Sequence, residues 1–411
     1  MIFTIRVTVA SMPSLSPLRA SLRPFALADL EGQIAAHAAR GGDLIDLHIG
    51  DTYLEPPQTA RLAGVLERTG DGADLYRYGE TAGLSPLRDA IADDLRRRGR
   101  VFADVCGEKN VLLGAGATHA IFCAAAAVLS PGDDVILAAP YWPLAHGIIL
   151  ASGAHPVEVP FTSRLYAEPE LDAGSLLRAA LTPSTRAIYL TSPNNPDGKV
   201  LSKTDLESVA ALAIEEDLWV FADEVYADVT YGRPHVSLAS LPGMAARTIT
   251  AYSFSKSHAL AGLRVGYVVA PEAVVRVAQR VSNHSIFNVP VAMQRAAAAA
   301  LASGSRWTER AVLLYRRSLE AVTEALDGTG VRYSTPEGGV FVFLDFSDVL
   351  GDRPLRALLE RSIARGVLVA PGAGFGKDFT KHARLCFSSQ PLPQLVEGLT
   401  RLVAATRDLR A

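Results

Sequence analysis

The chain has 411 residues, 49% of them hydrophobic and 20% charged, with a formal net charge of -3 and a pI near 6.3. That length exceeds one simple core and predicts two units, while the composition excludes a disordered chain and the slightly acidic balance offers no footprint for nucleic acid. Three cysteines (Cys106, Cys123 and Cys386) without CxxC spacing exclude a disulfide framework and a thiolate zinc site, and fit a reducing compartment.

The first stretch, MIFTIRVTVASMPS, carries Arg6 inside its apolar part and lacks the core of a secretory signal. The longest apolar run, AIFCAAAAVL at 120–129, is too short to cross a bilayer, so the expected location is the cytoplasm. Residues 1–40, with Pro13, Pro17 and Pro24, read as an N-terminal arm that also completes a smaller unit further on. The one dense basic run, Arg96 to Arg98 and Arg100, closes a helical pattern and suits a solvated helix C-terminus.

From about residue 110, short apolar runs alternate with helical patterns. NVLLGAG (110–116) reads as a strand entering a glycine turn, followed by the helix THAIFCAAAAVLS. DDVILAAP (133–140) and AIYLTSP (187–193) are strands, and LSKTDLESVAALAIEED (201–217) is a helix. LWVFADEVY (218–226), RTITAYSFS (247–255) and LRVGYVVA (263–270) are further strands. Runs that are apolar throughout, rather than alternating, predict a mostly parallel sheet covered by helices on both faces.

After residue 271 the pattern changes to long helices (271–284, 289–303, 306–326). VFVFLDF (340–346), a helix (354–364), GVLVAP (366–371), ARLCFSS (383–389) and a closing helix (392–409) follow. The expected fold is α/β: a large domain over 41–290 and a smaller α+β domain over 291–411, with the arm of 1–40 joining the latter.

Ligands of open α/β sheets sit beyond the C-terminal ends of the strands, so the polar residues there carry the functional reading. After VLLG, Gly116-Ala117-Thr118 opens a helix whose free N–H groups suit a phosphate, although a simple cap at Thr118 explains it as well. TSPNNPDG places Asn195 in a turn that turn chemistry alone would account for. Asp223 ends an apolar run, where a buried carboxylate needs a cation, and Tyr226 follows it. Ser253, Ser255 and Lys256 lie in SFSKSHALAGLRVGY, with Arg264 eight residues after the lysine. The chain has 34 arginines and only 6 lysines, so a lysine here suggests a need for an amine that can deprotonate and attack a carbonyl. A solvated loop lysine is the plain alternative.

Together these strand ends make a pyridoxal phosphate site. Lys256 would join the cofactor aldehyde and Asp223 would pair with the pyridine nitrogen. Asn195 and Tyr226 would hydrogen-bond the ring oxygen. Ala117, Thr118, Ser253, Ser255 and Arg264 would take the phosphate. No metal is called for.

S-x-S-K followed by G-x-R-x-G, preceded in order by Gly-Ala-Thr, PxNPxG (Pro193 to Gly198) and DExY (Asp223 to Tyr226), resembles the class I/II aminotransferases, the fold type I pyridoxal phosphate enzymes. The resemblance runs over 40–411 and implies ping-pong transfer of an amino group from an α-amino acid to a 2-oxo acid, in a homodimer with shared active sites. It implies that Tyr78, in YRYGETAGLSPLRDAIA, reaches the partner's cofactor phosphate. It places Trp142 of APYWP on the pyridine ring, with Tyr141 as the alternative. Arg384 in HARLCFS becomes the clamp on the substrate carboxylate, with Gly50 giving close backbone approach.

Departures from the family pattern fall on the side-chain pocket. IGDTYLEPP (49–57) replaces Gly-x-Pro-acidic-Phe, Ala145 stands for a second aromatic, and Phe341 stands where tyrosine is frequent. No second arginine commits the enzyme to a dicarboxylic substrate, and Tyr53, Leu54 and Trp142 suggest an apolar or aromatic pocket. The same constellation serves Cβ–S lyases. A non-catalytic sensor domain is the remote reading, since it needs a DNA-binding unit ahead of the domain.

Overall fold

The computed structural model describes residues 14–20, 22–24, 27–68, 73–101 and 106–409; the N-terminal stretch bearing Arg6 and Pro13 lies outside them. In chain order the strands are β1 (Ile45–Asp46), β2 (Val111–Ala115), β3 (Asp134–Ala139), β4 (His155–Pro160), β5 (Thr185–Thr191) and β6 (Trp219–Asp223). β7 (Thr248–Ser253), β8 (Val265–Val269), β9 (Phe341–Asp345), β10 (Val367–Leu368), β11 (Ala370–Pro371) and β12 (His382–Cys386) complete the set. Seven of these form the central sheet in the order β2-β8-β7-β6-β5-β3-β4.

Pairing is parallel from β7 across to β4, and β8 runs antiparallel to both of its neighbours. The reversal has a simple cause. Only residues 254–264 join β7 to β8, and a parallel return needs a crossover of roughly a dozen residues or more. The mostly parallel, helix-covered α/β sheet expected from the apolar runs is therefore what the chain forms.

Alternate residues of each strand feed opposite faces. Val135 and Leu137 of β3 pack with Ile121 and Ala124 of the helix Gly116–Val128. Ile136 and Ala138 pack with Leu206 and Val209 of the helix Lys203–Glu215. Both sets are apolar because both faces are covered, and each such side chain contributes roughly 1.5–3 kcal/mol on burial. The capping box of Ser202 and Asp205 starts the second helix where the sequence begins its 3.6-residue period.

Two elements differ from expectation. HPVEVP, β4, was not foreseen as a strand: it is the sheet's outer edge, half exposed, and its two prolines are tolerated only there. GVLVAP is not one strand but two, since Val367–Leu368 pairs with β1 and Ala370–Pro371 with β12. The C-terminal core takes in Leu27, Leu30, Ile45 and Leu47 beside Tyr315, Phe341, Leu385 and Leu399. Strand β12 thus lies in a layer stitched to the first half of the chain. That places its arginine opposite the ends of β5, β6 and β7.

Candidate active site

Strand β7 ends at Ser253, whose Oγ accepts the Ser255 N–H at 3.2 Å and caps the one-turn helix Phe254–Ser257. The turn aims Lys256 into a cavity of about 320 Å³. Its Nζ donates to the Gly50 carbonyl and lies 5.9 Å from the centre of the Tyr226 ring. The residue is only half-buried because it borders the cavity, but the amine faces little bulk water. Desolvation is the largest influence and pulls its pKa below the ordinary lysine value, against attraction from Cys386 and Asp51.

Asp223 closes β6 and is buried. Burial pushes its carboxyl up to about 6, although the Tyr189 hydroxyl donates to Oδ2 at 2.7 Å and the Val225 N–H to Oδ1 at 3.3 Å. The partners it has are neutral, so a cation in the cavity would relieve a real electrostatic cost.

Arg384, central in β12, is buried. It donates to Asn195 Oδ1 at 2.8 Å and to the His48 carbonyl at 2.6 Å, and its guanidinium lies 4.1 Å from the Phe341 ring centre and 4.9 Å from that of Phe375. Its Nε is buried with no partner. An orphaned donor on a buried guanidinium is what a carboxylate ligand would satisfy. Gly50 is required here, since a methyl group on it would sit 2.5 Å from the Phe341 ring.

The opposite end of the cavity suits an anion. The helix Gly116–Val128 starts with no side-chain cap, and Thr118 lies within its first turn, not at the cap position. The Gly116 N–H goes to the Arg264 carbonyl at 2.9 Å, which leaves the N–H groups of Ala117 and Thr118 to meet a phosphate. Gly116 has φ +78°, and a methyl group there would lie 2.4 Å from the Arg264 guanidinium, which donates to the Ala261 carbonyl at 3.0 Å. Gly266 packs so closely that its methyl would sit 2.2 Å from the Ala117 nitrogen. Gly266→Ala is accordingly expected to push the helix start out of place and destabilise the fold by roughly 1–3 kcal/mol. A thermal melt together with a pyridoxal phosphate titration checks it, and unchanged cofactor affinity would show that this approach does not shape the anion end.

Every site residue expected from the sequence lines this cavity except Gly116 and Tyr78. Gly116 underlies Arg264. Tyr78 is 86% exposed and packs edge-on against Phe287 at 5.0 Å. Between the two aromatics of APYWP, Trp142 lines the cavity, whereas Tyr141 is buried with its hydroxyl on Glu158 at 2.6 Å. Tyr53 and Leu54 do not line it: the Tyr53 N–H goes to the Ser388 carbonyl at 3.0 Å, and Leu54 packs on the C-terminal core. Ile49 and Leu144 form the apolar wall instead, and Arg23 reaches the cavity from the N-terminal segment. Ile49 opens the departing segment 49–57, whereas nothing local in the sequence marks Leu144 or Arg23, the latter held by Tyr141 and Glu158 far along the chain. Among the described residues no group of His, Cys, Asp or Glu is placed to hold a metal ion, and no helix is long and apolar enough to cross a membrane.

An amine of lowered pKa, a buried carboxylate lacking a cation and an uncapped helix start around one cavity fit pyridoxal phosphate group by group. These features define a pyridoxal phosphate enzyme on an α/β sheet. Residues 42–402 match the family model for aminotransferase class I and II. The chain is 35% identical to the arginine–pyruvate transaminase of Pseudomonas aeruginosa over 365 residues, 87% of this chain and 88% of that one. It is 31% identical to the aspartate/prephenate aminotransferase of Thermus thermophilus, covering 95% and 99%. The structure of the Thermus thermophilus aspartate aminotransferase with maleate superposes with a TM-score of 0.86 at 28% identity, over 96% of this chain and all of that one. The chain belongs to the class I and II aminotransferases, and it is a pyridoxal phosphate-dependent aminotransferase.

Proposed function

We propose that Lys256, Asp223, Tyr226, Asn195 and Arg384 carry out the amino-group exchange between an α-amino acid and a 2-oxo acid, in two alternating half-reactions. The observation that carries this assignment is the shared cavity, which Lys256, buried Asp223 and buried Arg384 all line. Pyridoxal phosphate, when bound, supplies the carbonyl that captures the substrate amine and the ring that accepts the electrons of the broken Cα–H bond. Arg384 and Asn195 hold the α-carboxylate, fixing Cα against the lysine. Lys256 Nζ takes the Cα proton and hands it back, and its lowered pKa favours the neutral form that this needs. Asp223 would meet the positive charge that the ring brings, Tyr226 stands beside the lysine, and Trp142 would pack against the ring. Ala117, Thr118, Ser253, Ser255 and Arg264 would hold the phosphate.

The working form in this reading is a cytoplasmic homodimer. An exposed Tyr78 set against Phe287, itself 45% exposed and held at φ 64°, supports a partner surface there, from which Tyr78 would reach the partner subunit's phosphate site. In this reading 41–290 is the large unit and 291–411 with the arm of 1–40 the smaller one, except that Ile45 and Leu47 pack in the smaller unit's core and Ala297 and Ala300 in the larger one's. Relatives of this chain are named for arginine, aspartate and aromatic amino acids, which leaves the amino donor open.

Titrating the holoenzyme with single amino acids, without any oxo acid, tests the exchange. Loss of the cofactor's absorbance near the visible edge should accompany stoichiometric oxo acid. If ammonia and pyruvate accumulate instead while the absorbance returns, the outcome is lyase chemistry. Arg384→Ala is expected to lower kcat/KM for amino acids by about 10²-fold, the worth of a charge-assisted pair, with a much smaller change in cofactor affinity. Equal losses in both would mean that Arg384 does not bind the substrate.

A further inference from the structure

We propose that Asp197 is a positioning residue of this enzyme: its buried carboxylate holds the turn of Asn195 and the loop of Trp142 in one frame around the cofactor site. This rests on the exchange function, in which Asn195 meets the ring oxygen and the substrate carboxylate and Trp142 packs against the ring. Asp197 fills the open position of PxNPxG, so the motif itself gives it no task.

Asp197 is buried, and its carboxylate accepts from three donors. The Thr162 hydroxyl reaches Oδ2 at 2.5 Å, while Asn194 Nδ2 at 2.8 Å and the Lys199 N–H at 3.1 Å reach Oδ1. Asn194 Nδ2 also donates to the Pro140 carbonyl at 3.0 Å, two residues before Trp142. The backbone carbonyl of Asp197 accepts the Tyr166 hydroxyl at 3.3 Å. Asn195, next to Asn194, gives its Oδ1 to Arg384 at 2.8 Å, so its N–H₂ is the end left to donate. Which way that amide points therefore depends on the turn that Asp197 braces.

A residue that only formed the turn would need no more than the Lys199 N–H, the local bond of an Asx turn. Here Thr162 lies 35 residues from Asp197, and Pro140 lies 54 residues from the Asn194 amide that joins it to the carboxylate. The Lys199 ammonium does not serve as an ion partner: it goes to Glu337 Oε1 at 3.3 Å and lies 4.4 Å from the centre of the Tyr166 ring. Burial accordingly pushes the Asp197 carboxyl up, against the pull of its three donors and the more distant Lys199 charge. A buried carboxylate costs folding free energy, and what it returns is a fixed geometry beneath two groups of the site.

The holoenzyme provides the test. A hydrogen bond to the ring oxygen favours its anionic state and so lowers the pKa of the cofactor–lysine linkage, which is read from the visible absorbance as the pH is varied. Asp197→Ala should raise that pKa by about one unit, because the Asn195 donor is displaced. The same variant should lower kcat/KM for amino acids by about tenfold, the effect of a small misplacement of binding groups. Thr162→Val keeps the turn and its carboxylate, and should move both quantities the same way by less. Asp197→Asn, whose amide oxygen still accepts from Asn194 and Lys199, should recover most of the loss. A merely structural Asp197 predicts lower melting temperatures with the absorbance pKa unchanged, and that result overturns the proposal. Thr162→Val decides the matter if Asp197→Ala does not fold.

Asn195→Ala separates this role from the function it rests on. It should raise the absorbance pKa at least as far as Asp197→Ala does, and combining the two substitutions should raise it no further. If Asn195→Ala shifts the pKa but neither Asp197→Ala nor Thr162→Val does, or if the two shifts simply add, the positioning role alone is overturned. If Asn195→Ala leaves the pKa unchanged, Asn195 does not meet the ring oxygen, and its assignment falls together with that of Asp197.

Discussion

Lys256→Ala is expected to abolish turnover, by about 10⁴-fold or more, and to remove the absorbance near the visible edge that a cofactor–lysine linkage gives, while the protein stays folded. The amine has two tasks here, covalent capture of the cofactor and transport of the Cα proton, and alanine removes both. The fold is expected to survive because the helix Phe254–Ser257 is set by the Ser253 cap and by buried Phe254, and not by the lysine. Taking out a buried amine also removes a desolvation penalty, which offsets the loss of its bond to the Gly50 carbonyl. Lys256→Arg is the sharper control. It keeps a cation in place but cannot deprotonate near neutral pH, so it should be as inactive as the alanine variant. Measurable exchange by the arginine variant would mean that another group moves the proton.

Much of this site was legible from local chemistry. Apolar runs announced the strands, the residues just past them were the polar ones, and the reactive groups lay at those strand ends in a recognisable order. Lys256 and Asp223 could be found this way because the signal sits within a few residues of the group itself, whereas Arg384, inside strand β12, was assigned only through the family resemblance. What escaped had its cause elsewhere in the chain. Strand β4 is half exposed and proline-bearing, so neither periodicity nor an apolar run marked it. Tyr189 lies inside an apolar strand, and only the pairing of β5 with β6 brings its hydroxyl to Asp223. Arg23 stands in a proline-flanked stretch with no helical or strand period, and its meaning comes from Tyr141 and Glu158, more than 100 residues away. Arg23 lines the cavity without belonging to any motif, so nothing in the sequence placed it there.

Asp223→Asn is expected to make the apoprotein more stable at neutral pH and the enzyme nearly inactive. Burial raises the carboxyl from its unfolded value of 3.8 to about 6. Between those two pH values the folded chain holds a proton that the unfolded chain has released. Stability therefore falls as the pH rises through this window, and the full cost persists above it. A shift of about two units corresponds to a ceiling of about 3 kcal/mol. Asparagine is neutral at every pH and can still accept the Tyr189 hydroxyl, so it avoids the cost.

Melting curves of the apoproteins should show the variant ahead by a few degrees at pH 7.5, with the gap closing as the pH falls toward 4. Adding pyridoxal phosphate should reverse the order, because the ring nitrogen supplies the cation that only the carboxylate can use. The same loss should lower turnover by about 10²–10³-fold, the usual effect of removing one preorganised electrostatic partner. A variant equally destabilised at every pH would show that Asp223 is held for packing. A variant that gains stability and loses activity shows that the buried charge is kept, against the interest of the fold, for the cofactor.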